Sequence, residues 1–398
     1  MKQQKKQSGK GKKLLFFFFV LWTGILFGLT IKRYAFVNRL EKEMMLLFAD
    51  SSLESKKEFS LLTAGPGRLK EWKMEKNFEE AEEMIQAKEE KKETKKEPDF
   101  DIVLFDNGTS DITSANTRVT EGERDRLETV KDDLEGRLAG NRKIIAKLKK
   151  AYSRSYLLKK FYITDSSTSI DNRIFQVKKL LTMKLSLKKE KKPQILILHT
   201  HGASEAFIDS KKGKEDSIIG VGSRLAEILS KKYGYQVIHD KTEYDRIGGE
   251  IDRNKAYNMS LEGARRILKK YPSIQIVIDL HRDGVGNHVK RTTIVDGKRT
   301  AQVMFFNGLS RNSSGNIAYL KNPNLQANLA FSLQLKIACM QHFENFAKPI
   351  YLKGYRYNMH LRKRYTLIEL GNENNTVTEA KNAAAPLALA IHEVLSKK

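Results

Sequence analysis

The chain has 398 residues, 73 Lys and Arg against 48 Asp and Glu, a formal net charge of +25 and a single cysteine, Cys339. One cysteine excludes an intramolecular disulfide framework, and the length exceeds one ordinary domain, leaving room for a folded body with long appendages. The basic balance favours an anionic partner: nucleic acid, a membrane surface or an anionic polymer.

Residues 1–13 carry six lysines and no acid, a basic tail. Leu14–Ile31 follows without a charge, and its eighteen residues at ~1.5 Å each give about 27 Å, near the thickness of a bilayer core. Lysines ahead of such a run place that side in the cytoplasm. Lys32 and Arg33 follow at once, with no small-residue cleavage site, so the run reads as an uncleaved single-pass anchor at the cell membrane. The rest of the chain is then outside the cytoplasm, which argues against nucleic acid as the anionic partner.

Residues 32–192 read as a charged stalk or linker with helical segments. EEKKETKKEP at 89–98 is a solvated helix or a disordered stretch, since it has too little apolar surface to build a core. Ile102–Phe105 is a short apolar run, and 121–152 is a charged helix with Leu127, Val130, Leu134, Leu138, Ile144, Ile145 and Leu148 roughly on one side. LKKEKK before Pro193 looks like a boundary, so 193–398 is the expected catalytic domain.

From Pro193 the pattern alternates. Strands are predicted at Ile195–Leu198, Tyr235–His239, Ile274–Leu280, Gln302–Phe306 and Tyr365–Leu370. Helices are predicted at 217–232, 256–271, 325–343 and 376–395, the last with a kink at Pro386. Cys339, on the third helix, reads as a buried thiol. This order implies an α/β fold, a mostly parallel sheet with helices on both faces.

Three of the strands end in ionisable groups. Ile195–Leu198 runs into His199-Thr200-His201 with Glu205 after it, Ile276–Leu280 into His281-Arg282-Asp283, and Thr366–Ile368 into Glu369. Sites of α/β folds assemble outside the carboxyl ends of strands. Histidines two apart on an extended segment point to one side. Imidazoles with one carboxylate suit Zn²⁺ and leave a position for water, so His199, His201, Glu205 and His281 are the candidate ligands. Glu369 is the candidate catalytic carboxylate, moving a proton from water to a leaving nitrogen. The bland alternatives are a salt-bridge cluster of Asp279, Arg282 and Asp283, and a Glu369 paired with Arg356, Arg362 or Arg364. His239, His288, His342, His360 and His392 have no comparable context.

ILILHTHGASEAF, VGSRLAEILSKKYGYQVIHDKTEYD, PSIQIVIDLHRDGV and YTLIELGNENNTVTEA resemble stage II sporulation protein P, over roughly 193–398. The anchor and variable stalk also match that family. The resemblance implies a zinc amidase fold, N-acetylmuramoyl-L-alanine amidase activity on peptidoglycan, and an accompanying endopeptidase activity on cross-links. Its setting would be septal wall thinning and engulfment of the forespore. It also implies stage II sporulation proteins D and M as partners. By motif position, His199 or His201, Glu205 and His281 would hold the metal and Glu369 would be catalytic. Arg282, Asp283 and Asn358, in or beside the motifs, are the candidate substrate-binding residues. Two departures stand out: Tyr357-Asn358-Met359 replaces the usual Tyr-Asn-Gln, and Glu215 occupies about the place where related amidases carry their ligand glutamate. Glu205 and Glu215 therefore both remain as the carboxylate ligand. The alternative functions are a zinc hydrolase of another amide and an inactive module that holds wall polymer.

Overall fold

The β-branched runs form the centre of an eight-stranded sheet in the computed structural model, which describes residues 101–106, 138–286 and 289–397. The tail 1–13, the expected anchor 14–31 and most of the stalk lie outside the described residues. Among the described residues no helix is long and apolar enough to cross a membrane.

The strands of the large sheet are β1 (Ile102–Phe105), β2 (Tyr162–Thr164), β3 (Ile195–Leu198), β4 (Val237–Asp240), β7 (Ile276–Asp283), β10 (Val303–Gly308), β13 (Ile350–Lys353) and β14 (Arg364–Asn372). Three small ladders make up the rest of the numbering: β5 (Arg246–Ile247) with β6 (Glu250–Ile251), β8 (Thr292–Val295) with β9 (Lys298–Ala301), and β11 (Arg311–Asn312) with β12 (Gly315–Asn316). The large sheet runs β1-β4-β3-β7-β14-β10-β13-β2. Within this eight-stranded sheet, β1–β4 and β14–β10 pair antiparallel and the other pairs are parallel. A mixed α/β fold with a mostly parallel sheet is therefore what the alternating sequence produces.

Besides a helical stretch over 138–151, the helices among the described residues are α1 (Arg154–Phe161), α2 (Val177–Thr182), α3 (Ile218–Lys231), α4 (Ala256–Lys270), α5 (Leu325–His342), α6 (Val377–Asn382) and α7 (Ala384–Ser396). They cover both faces. Ile195, Ile197, Ile276 and Ile278 join α3, α5 and α7 in the larger core, while Leu196, Leu198 and Val277 join α4 in a smaller one. This is period-two alternation on strands buried on both faces. Cys339 is fully buried within α5. The final helix is two helices rather than one kinked at Pro386. The chain breaks at Ala383, which puts Pro386 in the first turn of α7, where no N–H is needed.

The folded body is larger than the expected 193–398 domain. β2 completes one edge of the sheet, pairing parallel with β13 (Tyr162 opposite Ile350), and β1 covers the other edge against β4. Leu148, Leu157, Phe161, Phe175 and Leu180 are fully buried in the larger core. Residues 138–192 are thus part of the core rather than stalk. Their apolar positions are spaced among lysines that face water, which gives the segment its charged appearance.

Candidate functional site

β3 lies where the topology switches direction. The chain leaves it through α3 on one face to β4, then crosses back through α4 on the other face to β7, on β3's far side. A crevice opens outside the carboxyl ends of two such strands. The strand-end motifs fall there.

β3 ends at Leu198, and the chain turns twice, with Gly202 N–H on His199 O (3.3 Å) and Ser204 N–H on His201 O (3.2 Å). Two buried carboxylates hold these turns. Asp279 accepts from Thr200 N (3.0 Å) and from Thr200 Oγ1 (2.7 Å), while Asp245 accepts from Ala203 N (2.9 Å) and Ser204 N (3.0 Å). The turns carry Glu205 back over β7. There its Oε2 accepts the Arg282 backbone N–H (3.0 Å) and its Oε1 lies 3.2 Å from His281 Nδ1.

His281 stands between two carboxylates, with Nε2 2.8 Å from Asp279 Oδ1 but without the alignment of a hydrogen bond. Burial opposes a charge on this ring, yet Asp279 and Glu205 outweigh it and hold its pKa well above the ordinary range. Burial likewise opposes charge on Asp279, but His281 and the Thr200 donors keep its pKa low. His201 sits beside them, its ring centroid 5.4 Å from that of His281 and 5.4 Å from that of Tyr257. Its Nδ1 is buried with no hydrogen-bond partner. Burial, His281 and Arg253 push its pKa down to about 2, so the ring is neutral and offers a lone pair.

Glu369 is the register partner of His281 across the β7–β14 ladder. Its Oε2 is buried without a hydrogen-bond partner. Burial pushes its pKa up to about 8; His281 opposes this, and Glu205, Asp283 and Asp279 add to it. The structure thus brings His201, Glu205, His281 and Glu369 together on one rim.

His199 is not part of that group. Its ring enters the opposite side of the sheet, where Nδ1 lies 2.8 Å from Leu280 O and Nε2 lies 2.9 Å from His239 Nε2. The expectation that His199 and His201 point the same way fails because the extended backbone stops at Leu198. Glu215 is also elsewhere, its side chain 63% exposed and 3.8 Å from Lys241 Nζ. The three expected substrate contacts are braces in this structure. Arg282 donates to Ala206 O (2.8 Å) and Ser204 O (3.1 Å), Asp283 pairs with Arg291, and Asn358 donates to Tyr257 O (3.0 Å) and Ser260 Oγ (3.2 Å). The bland alternative for Glu369 does not hold either: its neighbours are His281 and carboxylates.

Sequence reasoning missed Asp245, Tyr257 and Arg253. Arg253 donates to Ser204 Oγ (2.6 Å), with its other terminal nitrogen 3.7 Å from Glu205 Oε1. No local pattern marks these residues. Asp279 carried a signal, its place two before His281 on one strand face.

The donor set fits zinc. His201, Glu205 and His281 supply two nitrogens and an oxygen, and two donors ~2.1 Å from a tetrahedral ion stand about 3.4 Å apart, close to the 3.2 Å between Glu205 Oε1 and His281 Nδ1. The orphaned His201 Nδ1 is a buried group that a cation would satisfy. Asp279 behind His281 Nε2 matches the carboxylate that typically orients a ligating imidazole. Among the described residues, no three His, Cys, Asp or Glu groups stand already gathered at ligand spacing; His201 would have to close on the other two.

The chain belongs to the stage II sporulation protein P family, whose model matches residues 40–392. Among solved structures it is similar to the N-acetylmuramoyl-L-alanine amidase AmiC2 of Nostoc punctiforme, at 14% identity over 53% of this chain and 100% of that one, with a TM-score of 0.35. It is also similar to the CwlD amidase of Clostridioides difficile, solved in complex with the GerS lipoprotein (15% identity, 51% and 98% covered, TM-score 0.33). A third is the catalytic domain of CwlV from Bacillus (Paenibacillus) polymyxa var. colistinus (12%, 50% and 95%, TM-score 0.31). A comparison with curated protein sequences returns no match.

Proposed function

We propose that the protein is a zinc-dependent peptidoglycan hydrolase of sporulation, an N-acetylmuramoyl-L-alanine amidase with an accompanying endopeptidase activity. In this reading it is anchored by residues 14–31, with its folded body outside the cytoplasm and stage II sporulation proteins D and M as partners. The observation that carries the chemistry is the convergence of His201, Glu205, His281 and Glu369 at the carboxyl ends of β3, β7 and β14. Family membership supports the substrate.

His201, Glu205 and His281 would hold the ion. A zinc ion held there would supply a Lewis acid for the carbonyl of a scissile amide. Glu369 takes the proton of the attacking water and passes it to the leaving nitrogen. Burial raises the pKa of this unpartnered carboxyl, the direction that lets one group both accept and return a proton near neutral pH. Asp279 keeps the His281 ring turned so that Nδ1 faces Glu205. The net charge of +25 favours approach to an anionic polymer.

The test is digestion of purified peptidoglycan by the zinc-loaded and zinc-stripped protein, with mass analysis of the products. Release of stem peptides with a free L-alanine amine, dependent on zinc, is the expected result. Intact peptidoglycan under both conditions would remove the hydrolase reading.

A further inference from the structure

The histidine pair on the far face of the sheet has a direction. The β3–β7 ladder stops at Leu198 opposite Asp279. The next carbonyl on that edge, Leu280 O, has no rung of β3 to bond it, and His199 Nδ1 lies 2.8 Å away. A carbonyl only accepts, so the proton is on His199 Nδ1. Both rings are fully buried and no carboxylate is hydrogen-bonded to either among the described residues, and a buried charge without a partner is strongly disfavoured. A neutral His199 then has its lone pair on Nε2. His239 Nε2, 2.9 Å away, must be the donor. His239 Nδ1 is left as an acceptor toward Ser223 Oγ on α3, at a long 3.4 Å.

The sequence makes room for this pair. His239 on β4 is in register with Ile197 on β3, so its ring comes up beside the next residue on that face, His199. Gly222 of α3 crosses directly over them. A Cβ there would come 2.5 Å from His199 Nε2 and 2.8 Å from His239 Nε2.

We propose that His199 and His239 are positioning residues: an oriented imidazole pair that extends the β3–β7 ladder by one side-chain rung, fixes the Leu280–His281 peptide and so aims the His281 ring. The inference rests on the zinc reading of the site for its effect on metal, but not for the proton order of the pair. It assigns the two histidines of the His-Thr-His motif different jobs, His201 at the metal and His199 in the frame behind it.

Two substitutions separate positioning from filling. The amide of His199→Asn can replace Nδ1 as donor to Leu280 O, whereas His199→Gln places its amide near the Nε2 position and leaves that carbonyl unbonded. In the full-length protein, zinc affinity measured by chelator competition should fall ~10-fold or more in His199→Gln. His199→Asn should recover most of that loss, even though both variants melt at lower temperature. Equal losses in the two, or none in either, would overturn the proposal, because a space-filling ring does not distinguish its nitrogens. The second readout needs no metal: long-range ¹H–¹⁵N spectra of ¹⁵N-histidine-labelled protein should show His199 protonated at Nδ1 and His239 at Nε2. The opposite tautomers would sink the proton order. If the wild-type protein binds no zinc, the zinc reading fails while these spectra still decide the pair.

Discussion

Cutting the chain at Pro193 should destroy the fold, although the sequence texture changes most sharply there. Residues 138–192 place Leu148, Leu157, Phe161, Phe175 and Leu180 in the larger core, each at most 2% exposed. Burying a side chain of this size contributes about 1.5–3 kcal/mol, so the five together supply on the order of 10 kcal/mol. The whole net stability of a typical domain is ~5–15 kcal/mol. The cut also strips β2 from β13, leaving that strand as a bare edge, and removes the Leu180 and Met183 carbonyls that Gln334 of α5 bonds at 3.0 Å each. Fragments 95–398 and 193–398 should be compared by far-ultraviolet circular dichroism and thermal melting. The longer one should unfold cooperatively, and the shorter should show no cooperative transition and should bind a dye for exposed apolar surface. A 193–398 fragment that melts cooperatively within a few degrees of the longer one would show that the upstream helices are ornaments on a self-sufficient core.

Asp279→Asn should lower zinc affinity ~10–100-fold by releasing the His281 ring, measured by chelator competition; unchanged affinity would remove Asp279 from the site. Glu205→Gln should lose zinc while Glu215→Ala keeps it, since only Glu205 reaches His281; the reverse pattern in metal analysis would exchange the two. Glu369→Gln should cut amide cleavage ~10²–10⁴-fold with zinc retained; near-normal peptidoglycan hydrolysis by a zinc-loaded variant would refute the role. In metal-free protein the same change should raise stability as the pH rises. The folded pKa of about 8 lies above the ordinary 4.5, so the folded state holds a proton that the unfolded chain has lost. This group's contribution therefore falls between those two pH values. A melting difference between wild type and Glu369→Gln that does not widen from pH 5 to pH 8 would contradict the burial of that carboxyl.

What the sequence revealed and what it hid follow from the range of the interactions. Strands such as Ile276–Leu280 and helices such as 256–270 are written in local periodicity, and a strand fixes what its end delivers, so the strand-end places of His281 and Glu369 could be read directly, whereas Glu205 and Glu215 could not be told apart. β2 could not be read. It is three residues long, and it is a strand only because β13, nearly 190 residues away, offers an edge to pair with. His239 looked featureless for the same reason: its partner lies 40 positions upstream, and only the β3–β4 register sets the rings side by side. The His-Thr-His run misled in a more instructive way. Alternation places residues two apart on one side only while the backbone stays extended, and here it turns immediately after Leu198. One histidine is carried with the strand face into the larger core, the other with the turn into the crevice beside His281. A motif of two imidazoles therefore supplies one ligand candidate and one structural donor, and the residue that decides between them is the last residue of the strand.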